Sequence, residues 1–485
     1  MVDEAGVIAA DVGIATPVAV DPEHPDAALR QVAIFPALAL LVGDQLTGIV
    51  DDALVLVDGL HGEDAKAVQF GAPTSNFWKG CRFEHPHDDT LSRERCTVRG
   101  YLTTFVLVSV VSLGVTVQGQ RQLFPGAGNL PFSAAAKGDG LIYVAGTIAA
   151  QGDIKTQTKA VLDSIGQTLT KSGSSLSMVA SANVYLKNAA DAAAMTEVWR
   201  QTWPKAAPVR TTVISDFVVP GALIEISAVA IPTGGERGIV SPAGWSTANP
   251  YSYAIKSGDR LFMAGLVSRG VKDNAPVEGD MTTQMNTIMA NAGELLKAAG
   301  FGFEHVVANR VYITDGTKFG EMNKAYVPHF PKDPPTRATV IVGLPGPSYQ
   351  VEITMVANKG PKQAFATPNA DGTPGRPSAT LSSAIKVGNT LYVAGLLGNN
   401  ADNKGNIEAQ TRETLARVGR TLTAAGFSFS DLVDGMVYIT DIAGFDAMNV
   451  GYRAVLAKDF PARATVKTGL VGPDGLVEIM FIAAK

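Results

Sequence analysis

The sequence predicts an α+β fold repeated three times within one chain of 485 residues. Three observations predict it. First, three blocks recur in the same order. LIYVAG (Leu141–Gly146) returns as LFMAG (Leu261–Gly265) and LYVAG (Leu391–Gly395). NVYL (Asn183–Leu186) returns as RVYI (Arg310–Ile313) and MVYI (Met436–Ile439), and VRTTV (Val209–Val213) as TRATV (Thr336–Val340) and ARATV (Ala462–Val466). Second, the spacing is constant: 53 residues from Gln157 to Arg210, Gln284 to Arg337 and Gln410 to Arg463, and 25 from Tyr185, Tyr312 and Tyr438 to the same arginines. Third, only the loop after the first block varies in length, as packed elements hold register while surface loops tolerate insertion.

Each unit reads in one order. An apolar, β-rich stretch (Leu141–Ile148) opens it. A helix follows, with Leu415, Val418 and Leu422 at i, i+3 and i+7 on one face of the third copy. It stops at Gly173, Gly300 or Gly426, where a left-handed C-cap is expected. Then come the VY strand, a shorter helix containing Met195, Met322 or Met448, and two closing strands, the last being Ala222–Ile231 and its counterparts. Helices on one face leave the other face of a sheet bare, and three copies can cover it for one another. The units take residues 121–232, 249–358 and 380–485. Segments 233–248 and 359–379, rich in Gly, Pro, Ser and Thr, read as linkers; sixteen residues span at most roughly 50 Å.

Residues 1–97 do not share this pattern. They hold both cysteines (Cys81, Cys96), four of the six histidines (His24, His61, His85, His87) and two lysines (Lys66, Lys79). Apolar stretches such as Val32–Val42 and Ile49–Val57 keep no period of 2 or 3.6. The segment reads as a disordered extension or a start site placed too early. Cys81, His85, His87 and Cys96 match no common zinc spacing, so no metal site is assigned. Residues 98–120 read as a signal peptide or signal anchor. Tyr101–Val117 carries no charge in 17 residues, Arg93, Arg95 and Arg99 precede it, and Gly119 follows. The alternative is a buried strand pair or core helix, since Val-rich runs also suit β-structure. On the first reading the chain is exported or anchored, touching a membrane through 101–117; on the second it is cytoplasmic.

With 46% hydrophobic and 18% charged residues, against about 25% charged in an average chain, the protein buries large cores. A net charge of −5 and a pI near 5.8 argue against the basic surface on which nucleic-acid affinity rests. Two cysteines exclude a disulfide scaffold. Within the repeats the only histidines are His305 and His329, both in the second, which disfavours a recurring Cys/His nucleophile or histidine metal cluster. A small molecule remains as partner.

What does recur is an Arg, a Thr two residues on and a Glu fifteen residues after the Arg: Arg210, Thr212, Glu225; Arg337, Thr339, Glu352; Arg463, Thr465, Glu478. On a strand, i and i+2 share a face, so each Arg and Thr point the same way. The Glu interrupts an apolar run, where burial or pairing is expected. Arg offers a planar fork for a carboxylate, and a nearby Glu orders or activates water. Together they suit hydration of a small carboxylate-bearing substrate. The competing reading is an ion pair between neighbouring strands that fixes sheet register. Trp199, Trp203, Tyr326 and Tyr452 read as core aromatics. Loop Ser268–Asp280, the longest of the variable loops, is either a specificity element or a neutral insertion.

The VAG strand, the VYIT strand with its acidic follow-on (Tyr312–Asp315, Tyr438–Asp441), the PxR(A/T)TV block and the closing VEI together resemble the RidA/YjgF family of reactive-intermediate deaminases, over about residues 128–485. The resemblance implies three chorismate-mutase-like α+β domains, each a mixed sheet with two helices on one face. The family's homotrimer, with sites in the clefts between subunits, would here be a pseudo-trimer within a monomer. It implies that Arg210, Arg337 and Arg463 bind a carboxylate, that Thr212, Thr339 and Thr465 line the site, and that Glu225, Glu352 and Glu478 orient water. The family's aromatic near the start of the unit falls on Phe132 and Tyr251 but on Leu381 in the third copy. Its Asn on the second helix falls on Asn323 and Asn449 but on Thr196 in the first. The second repeat thus holds the fullest set. The implied chemistry needs no cofactor: Arg337 clamps a 2-imino or enamino acid, Glu352 delivers water to the imine carbon, and ammonia leaves. A carboxylate-binding module without turnover is the alternative, and endoribonuclease or translation-inhibitor activity a lesser one.

Overall fold

The computed structural model describes residues 121–126 and 128–485, together with two short hairpins near the amino terminus, Ala39–Val42 with Gln45–Ile49 and Ala53–Val57 with Lys66–Phe70. The remaining 1–97 extension, the cysteines and the signal-like segment 98–120 lie outside the described residues.

Each repeat builds the same sheet. In the first, the hairpin Ser133–Gly138 and Leu141–Ala149 places its second strand beside the closing strand Ile224–Ala230. That strand pairs antiparallel with Val179–Leu186, which in turn pairs parallel with Val209–Ile214. The second and third repeats reproduce this order, closing with Val351–Asn358 and Val477–Ala484. The parallel pair needs a crossover, supplied by the second helix: Ala192–Thr202, Phe319–Tyr326 or Phe445–Leu456. The linkers are not wholly irregular, since Gly238–Val240 and Lys362–Phe365 each add an edge strand to the repeat that follows.

The long helices, Ile154–Lys171, Met281–Ala298 and Ile407–Ala424, start at Asp153, Asp280 and Asn406, whose side chains accept the N–H three residues on. They end as expected. Gly173, Gly300 and Gly426 sit at φ +85°, +78° and +78°, and the next residue's N–H reaches back to Leu169, Leu296 or Leu422 at 2.8 Å. Inside each repeat an apolar core fills the space between helices and sheet, around Leu162 and Trp199, Met289 and Tyr326, or Val418 and Tyr452.

The bare sheet faces pack on one another. Tyr185, Tyr312 and Tyr438, one from each repeat, share a buried cluster with Val213, Val340 and Val466. A cavity of about 60 Å³ beside it is lined by all three repeats, including Asn183, Arg310, Asp434 and Tyr392. The Arg strand of the third repeat also runs parallel to the first strand of the first, through Ala462 and Ser133. This contact brings the start of one repeat's Arg strand against the opening hairpin of another.

Candidate functional site

The candidate residues meet between repeats. Inside one repeat the Tyr strand lies between the Arg strand and the Glu strand. Arg210 stands opposite Ala182, and Glu225 opposite Tyr185, three residues further along. Two strand spacings and three residues of rise put their backbones roughly 14 Å apart. The register-fixing ion pair within a unit is therefore excluded, and so is the pairing of Arg337 with Glu352. Instead Arg210 faces Glu352, Arg337 faces Glu478 and Arg463 faces Glu225. One repeat supplies the Arg, the Thr and the second helix; another supplies the Glu and the opening aromatic.

Local chemistry explains the placement. The proline two residues before each Arg accepts an N–H from the neighbouring repeat: Ser252 to Pro208 at 3.4 Å, Ser382 to Pro335 at 3.3 Å, Ser133 to Pro461 at 2.9 Å. Those serines follow Tyr251, Leu381 and Phe132, so the bond seats the aromatic position over the arginine. Tyr251 lies 5.2 Å from the Arg210 guanidinium and Phe132 5.4 Å from that of Arg463. On the other side, the recurring Gln of the long helix braces the approach to each Glu. Gln157, Gln284 and Gln410 accept the backbone N–H of Leu223, Gln350 and Leu476 at 2.8 Å, two residues before the carboxylates.

The glycine of VAG has a specific task. A Cβ on Gly146, Gly265 or Gly395 would fall on the Oε1 atom of Glu225, Glu352 or Glu478, closer than any non-bonded contact allows. Only a bare Cα leaves room for the carboxyl, which lies across the bulge in the hairpin strand. The Thr212 N–H donates to Glu352 Oε1 at 3.3 Å, and the Thr465 N–H reaches Glu225 likewise.

Burial sets the electrostatics. Glu225, Glu352 and Glu478 are 3%, 5% and 3% exposed. Desolvation pushes their carboxyls up to about 8, 7 and 8, against the smaller opposing pull of backbone N–H groups and the facing arginines. Desolvation also lowers Arg210 and Arg463 to about 10, which leaves both cationic at neutral pH, and it lowers Arg337 in the same direction. Among the described residues no ion pair within 4 Å engages any of the three arginines. Nε of Arg210, and Nε and Nη1 of Arg337 and Arg463, are buried without a hydrogen-bond partner, as are the Thr339 and Thr465 hydroxyls. A buried guanidinium with free donors is costly to maintain unless an anion completes it.

Three further aromatics belong to the site. Trp199, Tyr326 and Tyr452 lie 5.1, 4.8 and 4.7 Å from the guanidinium of their own repeat's Arg. They are core residues, as expected, and also the floor of the arginine. Their constant position eleven residues before the Arg was the available signal. Asn449 accepts from Arg463 Nη2 at 2.8 Å, whereas Oδ1 of Asn323 is buried with no partner. Thr196 stands at that position in the first repeat. Because each cleft mixes two repeats, the fullest set is not held by the second repeat. It is the Arg463 cleft, with Thr465, Asn449, Phe132 and Glu225. The Arg210 cleft lacks the Asn, and the Arg337 cleft has Leu381 in place of the aromatic.

The model of the family described as Endoribonuclease L-PSP matches residues 127–232, 242–359 and 373–485. The chain belongs to the RidA/YjgF family, in three copies. A RutC family protein of Sulfurisphaera tokodaii is 34% identical over 111 residues, 23% of this chain and 89% of that one. The 3-aminoacrylate deaminase RutC of Acinetobacter baylyi is 36% identical over 117 residues, 23% of this chain and 92% of that one. A solved YjgF/YER057c/UK114 family member from Mycobacterium tuberculosis is 29% identical, with a TM-score of 0.22, covering 26% of this chain and all of that one. Each of these two RutC relatives thus matches about one repeat of this protein.

Proposed function

We propose that this triple RidA-family chain hydrolyses reactive 2-imino or enamino acids to 2-oxo acids and ammonia, in clefts between repeats, as a monomeric pseudo-trimer without a cofactor. The observation that carries the reading is the cross-repeat pair: a buried arginine with free donors facing a carboxyl held near neutrality. The similarity to a 3-aminoacrylate deaminase supports the same chemistry.

The arginine takes the substrate carboxylate, and in the Arg210 and Arg463 clefts the ring of Tyr251 or Phe132 lies beside the planar imine. The ionised Glu accepts a proton from water as the oxygen bonds to the imine carbon. The C=N electron pair moves to nitrogen, which takes up a proton from solvent, giving a carbinolamine while the first proton stays on Glu. The protonated Glu then donates to that amine, the C–N bond breaks, and ammonia leaves as the hydroxyl oxygen loses its proton to solvent to form the ketone, so that Glu is again ionised. An acid–base group between about 7 and 8 serves both half-steps near neutral pH. Positioning and charge complementarity supply the rest.

The test is ammonia release from a freshly generated 2-imino acid, comparing the wild type with R210A, R337A and R463A. Each substitution should remove one cleft's share. Glu352→Gln should abolish turnover in its cleft while leaving carboxylate binding; unchanged turnover would exclude the catalytic role.

A further inference from the structure

The Arg210 cleft carries a second cation. Arg269 opens the long loop Ser268–Asp280, and it is this guanidinium, ahead of Arg210, that most counters the burial of the Tyr251 hydroxyl. It also ranks ahead of Arg210 in its pull on the Glu352 carboxyl. Arg269 lies 5.4 Å from the Tyr349 ring. Its Nη1 donates to the side-chain oxygens of Asn249 and Asn274, at 3.3 and 2.9 Å, both neutral acceptors. Its Nε is buried without a partner, and among the described residues no carboxylate lies within 4 Å of it. A cavity of about 20 Å³, lined by Arg269, Tyr251, Trp245 and Asn291, adjoins it. That volume admits a water-sized polar group.

The loop holds this cation in place. Val277 N–H donates to Ser268 and Gly270 N–H to Ala275, while Asn291 fixes the Arg269 carbonyl at 2.9 Å. The other two repeats carry no cation at the matching position. Counting four residues on from the VAG glycine, the first repeat has Ala150 and the third Asn399.

We infer that the Arg210–Glu352 cleft is built for a short imino or enamino dicarboxylic acid, with Arg210 on the carboxylate beside the imine and Arg269 on the distal one. The inference rests on the deaminase reading for the imine, but the second carboxylate stands on Arg269 alone. A half-buried cation whose hydrogen bonds go only to neutral acceptors keeps donors free for an anionic group. Loop Ser268–Asp280 is then a specificity element.

The test uses imines generated in situ by oxidation of glutamate and of glutamine, which differ in one charge at equal size. The wild type should prefer the dicarboxylate in kcat/KM by roughly 10- to 100-fold, the range for a charged hydrogen bond. Arg269→Met should collapse that preference towards one, and Arg269→Lys should restore part of it. A wild-type ratio near one, a ratio unchanged in Arg269→Met, or equal losses on both imines overturns the inference. Calorimetric binding of 2-oxoglutarate against 2-oxoglutaramate separates the two readings. If neither imine turns over but binding keeps an Arg269-dependent preference, the deaminase reading fails and the dicarboxylate site stands. If both turn over and binding shows no preference, the reverse holds.

Discussion

Glu478→Gln should make the protein more stable at alkaline pH while removing the function of the Arg337 cleft. Glu478 is raised from 4.5 to about 8 by burial, against the pull of Arg337. It gains nothing comparable to the Thr212 and Thr465 N–H groups that steady Glu352 and Glu225. The folded state therefore binds the Glu478 proton more tightly than the unfolded chain does. That stabilisation is complete below pH 4.5 and is lost as pH rises through about 8. At roughly 1.4 kcal/mol per pH unit, the gap between 4.5 and about 8 is worth about 5 kcal/mol. Glutamine has the shape of the protonated acid and no proton to lose. Urea unfolding of wild type and variant at pH 5 and pH 9 isolates the effect, because every other titrating group cancels in the double difference. The variant should gain several kcal/mol on the wild type between the two pH values, and its share of ammonia release should vanish. Parallel pH dependence would show that the Glu478 carboxyl is solvated, and the account of its role would fail with it.

Two other substitutions follow from single contacts. Gly265→Ala puts a methyl group onto the Glu352 carboxyl; overpacking of that kind costs about 1–3 kcal/mol, so the melting temperature should fall and turnover in the Arg210 cleft should be lost even though Arg210 and Glu352 are both present. Asn449→Ala removes the acceptor of Arg463 Nη2 and leaves one more buried donor unpaired, costing about 1–3 kcal/mol; carboxylate binding in that cleft should weaken, whereas Asn323→Ala, where no bond to Arg337 exists, should change Arg337-dependent binding far less.

The architecture was legible because its signals are local and repeated. Periodicity located the long helices, and Gly173, Gly300 and Gly426 marked their ends correctly, since a left-handed C-cap depends only on the chain around it. Arg, Thr and Glu were legible as polar residues recurring inside apolar strands. Which Arg meets which Glu was not. That depends on the packing of one sheet face against another, and identical spacing within every repeat says nothing about contacts between repeats. The VAG glycine shows the same limit: its reason is a carboxyl reaching it from the closing strand some 80 residues later. Trp199, Tyr326 and Tyr452 were placed in the core by their burial habits, and their second role against the arginines needed the helix and strand to be seen together. Nor did composition mark the two linker strands, because an edge strand of three or four residues is set by the partner it pairs with.

Cross-repeat pairing leads to a decisive prediction about combined variants. Arg210→Ala and Glu352→Gln act on one cleft although they lie in different repeats, whereas Arg337→Ala and Glu352→Gln lie in one repeat but act on two clefts. In the first pair the second substitution has nothing left to remove, so R210A/E352Q should retain the ammonia release of R210A alone. In the second pair the losses accumulate, and R337A/E352Q should fall below either single variant, to whatever the Arg463 cleft delivers. Substitutions within one functional unit are non-additive and those in separate units add. If each repeat were a self-contained active unit, the order would invert: R337A/E352Q would match its single variants and R210A/E352Q would be the weaker enzyme. Single-turnover ammonia release from the three single and two double variants distinguishes the two arrangements without reference to substrate identity. It tests directly whether the face each repeat leaves bare is the surface on which its neighbour completes an active site.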